Sequence, residues 1–289
     1  MPRPRLLITG ATGFLGAAFL AAYGRQFSCV ALGRRRPEVS GCGRIDWIDH
    51  DLCEPFHRAR LPRRADYVLH LASARLPSPG SGVDELYAVN TSATAALAAW
   101  AAGAGVRQFV LGSTGGIYGY RPGRIRETHR ARPFDDYTMS KWQGELAALF
   151  HAPGRVSIVR YFFPYGPGQA SGFVPRLVAA VASGTPVTLH ARGRHPRLNP
   201  VFVDDAIDLT RRALVAGRGA IVNCAGPEAV RVPALAEAIG RLVGSAPTFA
   251  DGTNPAVGDM VADMSRARQL LRFRPGTGIE AGLARTLAG

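Results

Sequence analysis

Lysine is almost missing from this chain of 289 residues: of its 35 lysine and arginine side chains, Lys141 alone is a lysine. A protein that accepts arginine wherever else it needs positive charge marks position 141 as one where a planar, bulky guanidinium does not serve. Cysteine is scarce too. Cys29, Cys42, Cys53 and Cys224 show no CxxC spacing, which excludes a disulfide framework or a cysteine-based zinc site and leads us to expect reduced thiols in a cytoplasmic protein. No uncharged apolar run reaches the roughly 20 residues that cross a bilayer; residues 91–106 come nearest, are mostly alanine, and read as a buried helix. The start, Met1-Pro2-Arg3-Pro4-Arg5, runs into Leu6-Leu7-Ile8 without signal-peptide architecture. His70, His129 and His195 lack metal-ligand spacing such as HExxH, so no metal is expected and all three read as structural or surface residues. Acidic residues are outnumbered, giving a net charge of +14. The arginines are nevertheless dispersed, with Arg34-Arg35-Arg36 the longest run, and no helix-turn-helix, zinc-finger or aromatic-basic pattern accompanies them. A nucleic-acid partner is therefore not expected, whereas an anionic small molecule would benefit from the field.

What is present is an ordinary globular composition, 47% hydrophobic and 19% charged, long enough for one large domain or two closely joined ones. Leu6-Leu7-Ile8 is a buried-strand run. It is followed by Thr9-Gly10-Ala11-Thr12-Gly13-Phe14-Leu15-Gly16 and an alanine-rich helical stretch. Strand, glycine turn and helix are the context of a dinucleotide fingerprint: glycines allow a tight turn and bring backbone N–H groups to a pyrophosphate. The spacing here is GxxGxxG. A second strand at Cys29-Val30-Ala31-Leu32 ends at Gly33-Arg34. An NAD site places a carboxylate about 20 residues after the glycines, and Arg34 stands there instead. A guanidinium suits a 2′-phosphate, so NADP is favoured with NAD possible.

Further strands are expected at Asp46–Asp49, Asp66–Ser73 and Phe109–Gly112, with a long helix starting at Asn90. This alternation implies an α/β fold of Rossmann type, a doubly wound parallel sheet with helices on both faces. Gly10–Gly16, Arg34, Asp51, Ala72 and Thr114 all follow strand ends and should converge on one crevice. In Tyr137-Thr138-Met139-Ser140-Lys141 the phenol and the ammonium share one helix face. An ammonium one turn away favours ionisation of a phenol, which would suit Tyr137 to general acid–base work near neutral pH.

Taken in order, the 9–16 turn, Asp66–Ser73, residues 109–119 with the Tyr118-Gly119 pair, YxxxK at 137–141 and Val159–Gly168 resemble the extended short-chain dehydrogenase/reductase family over nearly the whole chain. The resemblance implies that Thr114, with Ser113 a weaker claimant, bonds the substrate oxygen, that Tyr137 passes the proton, and that Lys141 holds the nicotinamide ribose. It implies cofactor contacts at Gly10, Thr12, Gly13, Phe14, Leu15 and Gly16. Arg34, Arg35, Asp51 and Leu52 would surround the adenosine end; Leu71, Ala72, Ser73 and Asn90, with Tyr137, Lys141 and Phe163, would complete the set. Three departures stand out. Gly115-Gly116 replace the Asp-Glu that family sugar dehydratases carry after the Thr, arguing against dehydration. Phe163 replaces a usual Asn that contacts the substrate diphosphate. The family's phosphate-binding arginine falls on Leu198, one residue from Arg197; Arg176, Arg192 and Arg194 could supply other anion contacts.

The nucleotide-binding domain is expected over 1–165 with about 201–224. A substrate lobe is expected over about 166–200 and 225–289, its last helical segment at 263–271. The function implied is NADP-favouring hydride transfer to or from a keto or hydroxyl group of a sugar-like, possibly nucleotide-sugar, substrate. The alternatives are an epimerase that retains NAD and a non-catalytic nucleotide sensor. Homodimerisation through residues 91–106 and the Tyr137 helix is expected from the same resemblance.

Overall fold

The computed structural model describes residues 3–56, 61–75, 82–189, 195–252 and 258–288. The first half alternates β1 (Arg5–Thr9), α1 (Phe14–Tyr23), β2 (Ser28–Gly33), β3 (Ile45–Asp49), β4 (Tyr67–His70), α2 (Val83–Tyr87), α3 (Ala93–Gly103) and β5 (Gln108–Thr114). Then follow β6 (Arg124–Ile125), α4 (Asp136–His151), β7 (Val156–Tyr161), α5 (Phe173–Ser183), β8 (Val187–Leu189), β9 (Arg197–Leu198) and α6 (Val203–Val215). The chain ends with β10 (Ile221–Cys224), β11 (Val230–Arg231), α7 (Val232–Val243), β12 (Phe249–Asp251), β13 (Val261–Ala262), α8 (Ser265–Leu271) and α9 (Ile279–Ala288).

Seven strands form the central sheet in the order β10-β7-β5-β4-β1-β2-β3. β1 pairs in parallel with β2 on one side and β4 on the other, β2 with β3, and β4 with β5. Parallel strands covered on both faces need unbroken apolar runs. Leu6, Leu7 and Ile8 are fully buried, and β5 and β7 are buried almost throughout. The strand order reverses direction between β1 and β4, where open α/β sheets bind ligands beyond their carboxyl ends.

The chain separates into two compact units, 1–117 with 131–160 and 207–222, and 118–130 with 161–206 and 223–289. Segments 118–130, 161–165, 201–206 and 223–224 thus group with the second unit, where the sequence reading had them in the first. In the first unit α3 packs against α4, and Leu97, Ala98 and Ala101 join Leu7, Val68, Phe109 and Ile158 in the core. The second unit holds α5 packed on α7 and α7 on α9, with short strand pairs β11–β9, β12–β8 and β13–β6.

Two expectations need correction. The helix placed at Asn90 is entered earlier, at Val83, and Ala88–Ser92 forms a π-helical turn before α3. The Asn90 side chain in this turn finds its partners outside the helix, as described below, while its carbonyl accepts from the Thr94 hydroxyl in α3. The segment at 263–271 is not the last helix, because α9 follows. Among the described residues no helix is long and apolar enough to cross a membrane.

Candidate active site

The switch point is built by close backbone approach. A Cβ on Gly10 (φ 70°) would lie 2.5 Å from the Ala72 nitrogen, and one on Gly16 would lie 2.1 Å from the Gly10 carbonyl oxygen. Only hydrogen fits at either place, so the turn folds back on itself while touching the end of β4. α1 then begins with no side-chain cap and no acidic residue in its first turn. Its leading N–H groups and positive dipole end are left for an anion. Thr12 and Gly13 are exposed, and Phe14 and Leu15 are half-buried.

At the end of β2, Arg34 Nη1 lies 3.8 Å from Asp51 Oδ2, with the Arg34 side chain 69% exposed. So exposed a pair contributes about 0–1 kcal/mol, and a phosphate can displace it. Arg35 is exposed. Asp51 also accepts from the Cys53 nitrogen at 3.0 Å, whereas the Leu52 side chain belongs to the core.

Beyond β4, Leu71 is half-buried; its nitrogen and that of Ala72 donate to the Thr9 carbonyl and hydroxyl oxygens at 3.2 and 3.3 Å. His70 is fully buried between the Thr9 and Thr94 hydroxyls, and burial drives its pKa down to about 3, so it is a neutral structural group. Asn90 is also buried. Its Oδ1 accepts from the Ala74 nitrogen and the Ser73 hydroxyl, and its Nδ2 donates to the Ala74 carbonyl and the Ser140 hydroxyl. Its carboxamide is committed within the protein, clamping the end of β4 to α4.

α4 carries the reactive pair, and its start is fixed by Asp135. The Asp135 carboxylate accepts from the Thr138 nitrogen at 2.7 Å, and the Thr138 hydroxyl accepts in return from the Asp135 nitrogen. This capping box holds the first turn and Tyr137, which is half-buried. One turn on, Lys141 is 3% exposed and donates from Nζ to the Gly112 carbonyl at 2.7 Å. Burial pulls its pKa down to about 8, opposed by the Glu145 charge and aided by Arg75.

β5 supplies the third group. Thr114 is half-buried, and its Oγ1 accepts from the Gly116 nitrogen at 3.0 Å, leaving its own proton for another acceptor. Ser113 is buried and gives its proton to Glu145, which removes it as a claimant for the role. A Cβ on Gly116 would meet Thr138 Cγ2 at 2.9 Å and Thr114 Oγ1 at 3.3 Å. One point within 3.3 Å of both atoms joins the end of β5 to the first turn of α4.

In the second unit Phe163 adopts φ 46° and packs on Phe173 with ring centroids 5.4 Å apart. Left-handed backbone suits Asn, the usual residue in the family resembled, far better than a bulky aromatic. Leu198 is buried, while Arg197 gives both Nε and Nη2 to Asp259 at 2.9 and 2.7 Å, so that guanidinium is already committed. Arg176 is exposed; Arg192 and Arg194 lie outside the described residues.

The sequence profile of the NAD dependent epimerase/dehydratase family matches residues 6–225. The chain belongs to that family. It is therefore an enzyme of the extended short-chain dehydrogenase/reductase type, and its relatives include epimerases, dehydratases, decarboxylases and reductases. The family's dTDP-glucose 4,6-dehydratase of Streptomyces griseus is 28% identical over 98% of this chain and 93% of its own. An uncharacterized UDP-glucose epimerase, YtcB, of Bacillus subtilis (strain 168) is 28% identical over 63% of this chain; that match spans 60% of YtcB, under two thirds of its length. The structure of MoeE5 in complex with UDP-glucuronic acid and NAD superposes with a TM-score of 0.84 at 27% identity, covering 98% of each chain.

Proposed function

We propose that this family member oxidises or reduces a ring carbon of a nucleotide sugar, with Thr114, Tyr137 and Lys141 as its catalytic residues. What supports the reading is three groups carried by two elements of the first unit: on β5 the Thr114 hydroxyl, which accepts only from the Gly116 nitrogen; on α4 the half-buried Tyr137; and, one helical turn on, the buried Lys141 ammonium anchored on Gly112. Thr114 donates to the substrate oxygen, where negative charge grows or fades. Tyr137 takes up or returns the proton of that oxygen. Lys141 supplies fixed positive charge beneath the phenol and a donor for a ribose hydroxyl. A nicotinamide dinucleotide, when bound, carries the hydride. The residues fit such a group: the Gly10–Gly16 turn leaves the first N–H groups of α1 without side-chain partners, which suits a pyrophosphate.

Two finer readings differ in the fate of the cofactor. Arg34 favours NADP and a reductase that exchanges its cofactor, because a 2′-phosphate recruits the guanidinium from its weak pair with Asp51. The epimerase reading keeps one NAD in place, and it is favoured by MoeE5, whose structure contains NAD and UDP-glucuronic acid. Purified protein decides between them. The reductase reading expects an empty site and tighter binding of NADPH than of NADH. Arg34→Ala should then weaken NADPH about 10- to 100-fold, the worth of a charge-assisted hydrogen bond, and leave NADH unchanged. Retained NAD with no NADPH preference supports the epimerase.

The substrate's diphosphate is expected to be held differently from relatives with Asn at position 163, since Phe163 cannot donate. We further propose a homodimer in a reducing cytoplasm, where its four cysteines stay free. On α4, Leu146 and Phe150 lie one turn apart on one face, and the Phe150 side is 81% exposed. A second copy of α3 and α4 would cover them. Sedimentation should give twice the mass of one chain, and Phe150→Glu should give the monomer; a monomeric wild-type chain removes the proposal.

A further inference from the structure

Beside the Tyr137–Lys141 pair lies a buried ionic cluster to which the proposed chemistry assigns no role. Glu145 sits one turn after Lys141 and two after Tyr137, on the same face of α4, and is 1% exposed. Arg160, on β7, donates Nε to Glu145 Oε1 at 3.0 Å and to Oε2 at 3.2 Å, with Nη2 on Oε2 at 2.5 Å. Ser113, on β5, donates to Oε1 at 2.5 Å. Such a pair is costly to bury, and apolar residues of similar volume often serve stability as well or better. Its location suggests what it does. Gly112, Ser113 and Thr114 are consecutive: the first accepts from Lys141, the second donates to Glu145, and the third presents its hydroxyl at the candidate site.

We propose that Glu145 is a positioning residue: clamped by Arg160 and Ser113, it holds a fixed negative charge one turn behind Lys141 and keeps that buried ammonium charged and seated on the Gly112 carbonyl. Its catalytic consequence rests on the function proposed above. The charged and titratable groups acting on Lys141 are Glu145 on α4, Arg75 after β4 and His70 on β4, with Arg160 bound to Glu145; Tyr137 lies one turn before it on the same helix face. Burial is the largest influence on Lys141 and disfavours its charge, Arg75 acts in the same direction, and Glu145 opposes both. His70 remains neutral above about pH 3. Among the described residues, Glu145 is thus the acidic group whose charge favours the ammonium. An apolar residue there would leave the lysine to shed its proton within the working pH range.

The single lysine makes the test direct. Protein labelled with [ε-13C]lysine gives one side-chain signal, whose titration reports Lys141 alone, without substrate or cofactor. The wild-type midpoint is expected near pH 8. Glu145→Gln should lower it by about one pH unit or more, a tenfold change in proton affinity. Glu145→Gln combined with Arg160→Met removes both charges, leaves no unpaired arginine, and should lower it in the same direction. An unchanged midpoint in either folded variant overturns the proposal, since a purely structural pair would alter melting temperature and not this titration. The alkaline limb of kcat/KM should move down with the midpoint. A lowered midpoint with an unmoved limb would support the role of Glu145 and contradict Lys141 as the group that activity requires.

Discussion

Lys141→Arg lowers turnover by about a thousandfold while the protein stays folded; this is the expected result, and it falls within the range for removing a positioned proton-transfer system. The substitution keeps the charge, so a loss cannot be assigned to net electrostatics. It replaces a compact ammonium with a planar fork whose charge is spread over three nitrogens. The Lys141 pocket is closed, 3% of the residue being exposed, and Nζ is seated 2.7 Å from the Gly112 carbonyl. A guanidinium has no room to repeat that seat without shifting β5, which carries Thr114, or the first turn of α4, which carries Tyr137. Steady-state kinetics with melting curves on both proteins checks the point. Turnover within a few-fold of wild type would show that any cation serves.

Gly16→Ala is expected to have the largest effect on the fold. Its Cβ would fall 2.1 Å from the Gly10 carbonyl oxygen and 3.0 Å from the Ala11 Cα. The obstacle is backbone, so no side-chain rotation relieves it. Overpacking typically costs about 1–3 kcal/mol, and a backbone clash this close belongs at the upper end of that range, which for a chain of this size lowers Tm by roughly 6–12 °C. The turn would open, the end of β1 would leave β4, and dinucleotide affinity would fall with stability. Calorimetry and cofactor titration check both effects. Wild-type melting and affinity would mean that the turn does not fold back as described.

The parts of the molecule that could be read from sequence are those whose signal is local. The glycine turn, the run of buried strands and the Tyr137–Lys141 spacing each lie within eight residues, and helical or strand periodicity translates them directly into position. The cap at Asp135 was equally local, an Asp three residues before Thr138, but Thr in place of Glu or Gln at the third position hid the capping box. Other features depend on distant partners. Nothing in the residues around Glu145 announces Arg160 or Ser113, which are 15 and 32 positions away. The π turn at Ala88–Ser92 accompanies Asn90 side-chain bonds to Ser73, Ala74 and Ser140 outside the helix, which no helical pattern encodes. The departure at Phe163 was visible as a residue type, while its left-handed backbone was not.

The account depends most on Tyr137 working as the proton-transfer group above Lys141, and single-turnover hydride transfer measures that most directly. Wild type and Tyr137→Phe, each loaded with cofactor and mixed with a UDP-sugar under the same conditions, are compared by the change in nicotinamide absorbance. The account predicts a rate at least about a hundredfold slower in the variant at saturating cofactor, with the melting temperature unchanged. Equal rates in the two proteins would contradict it.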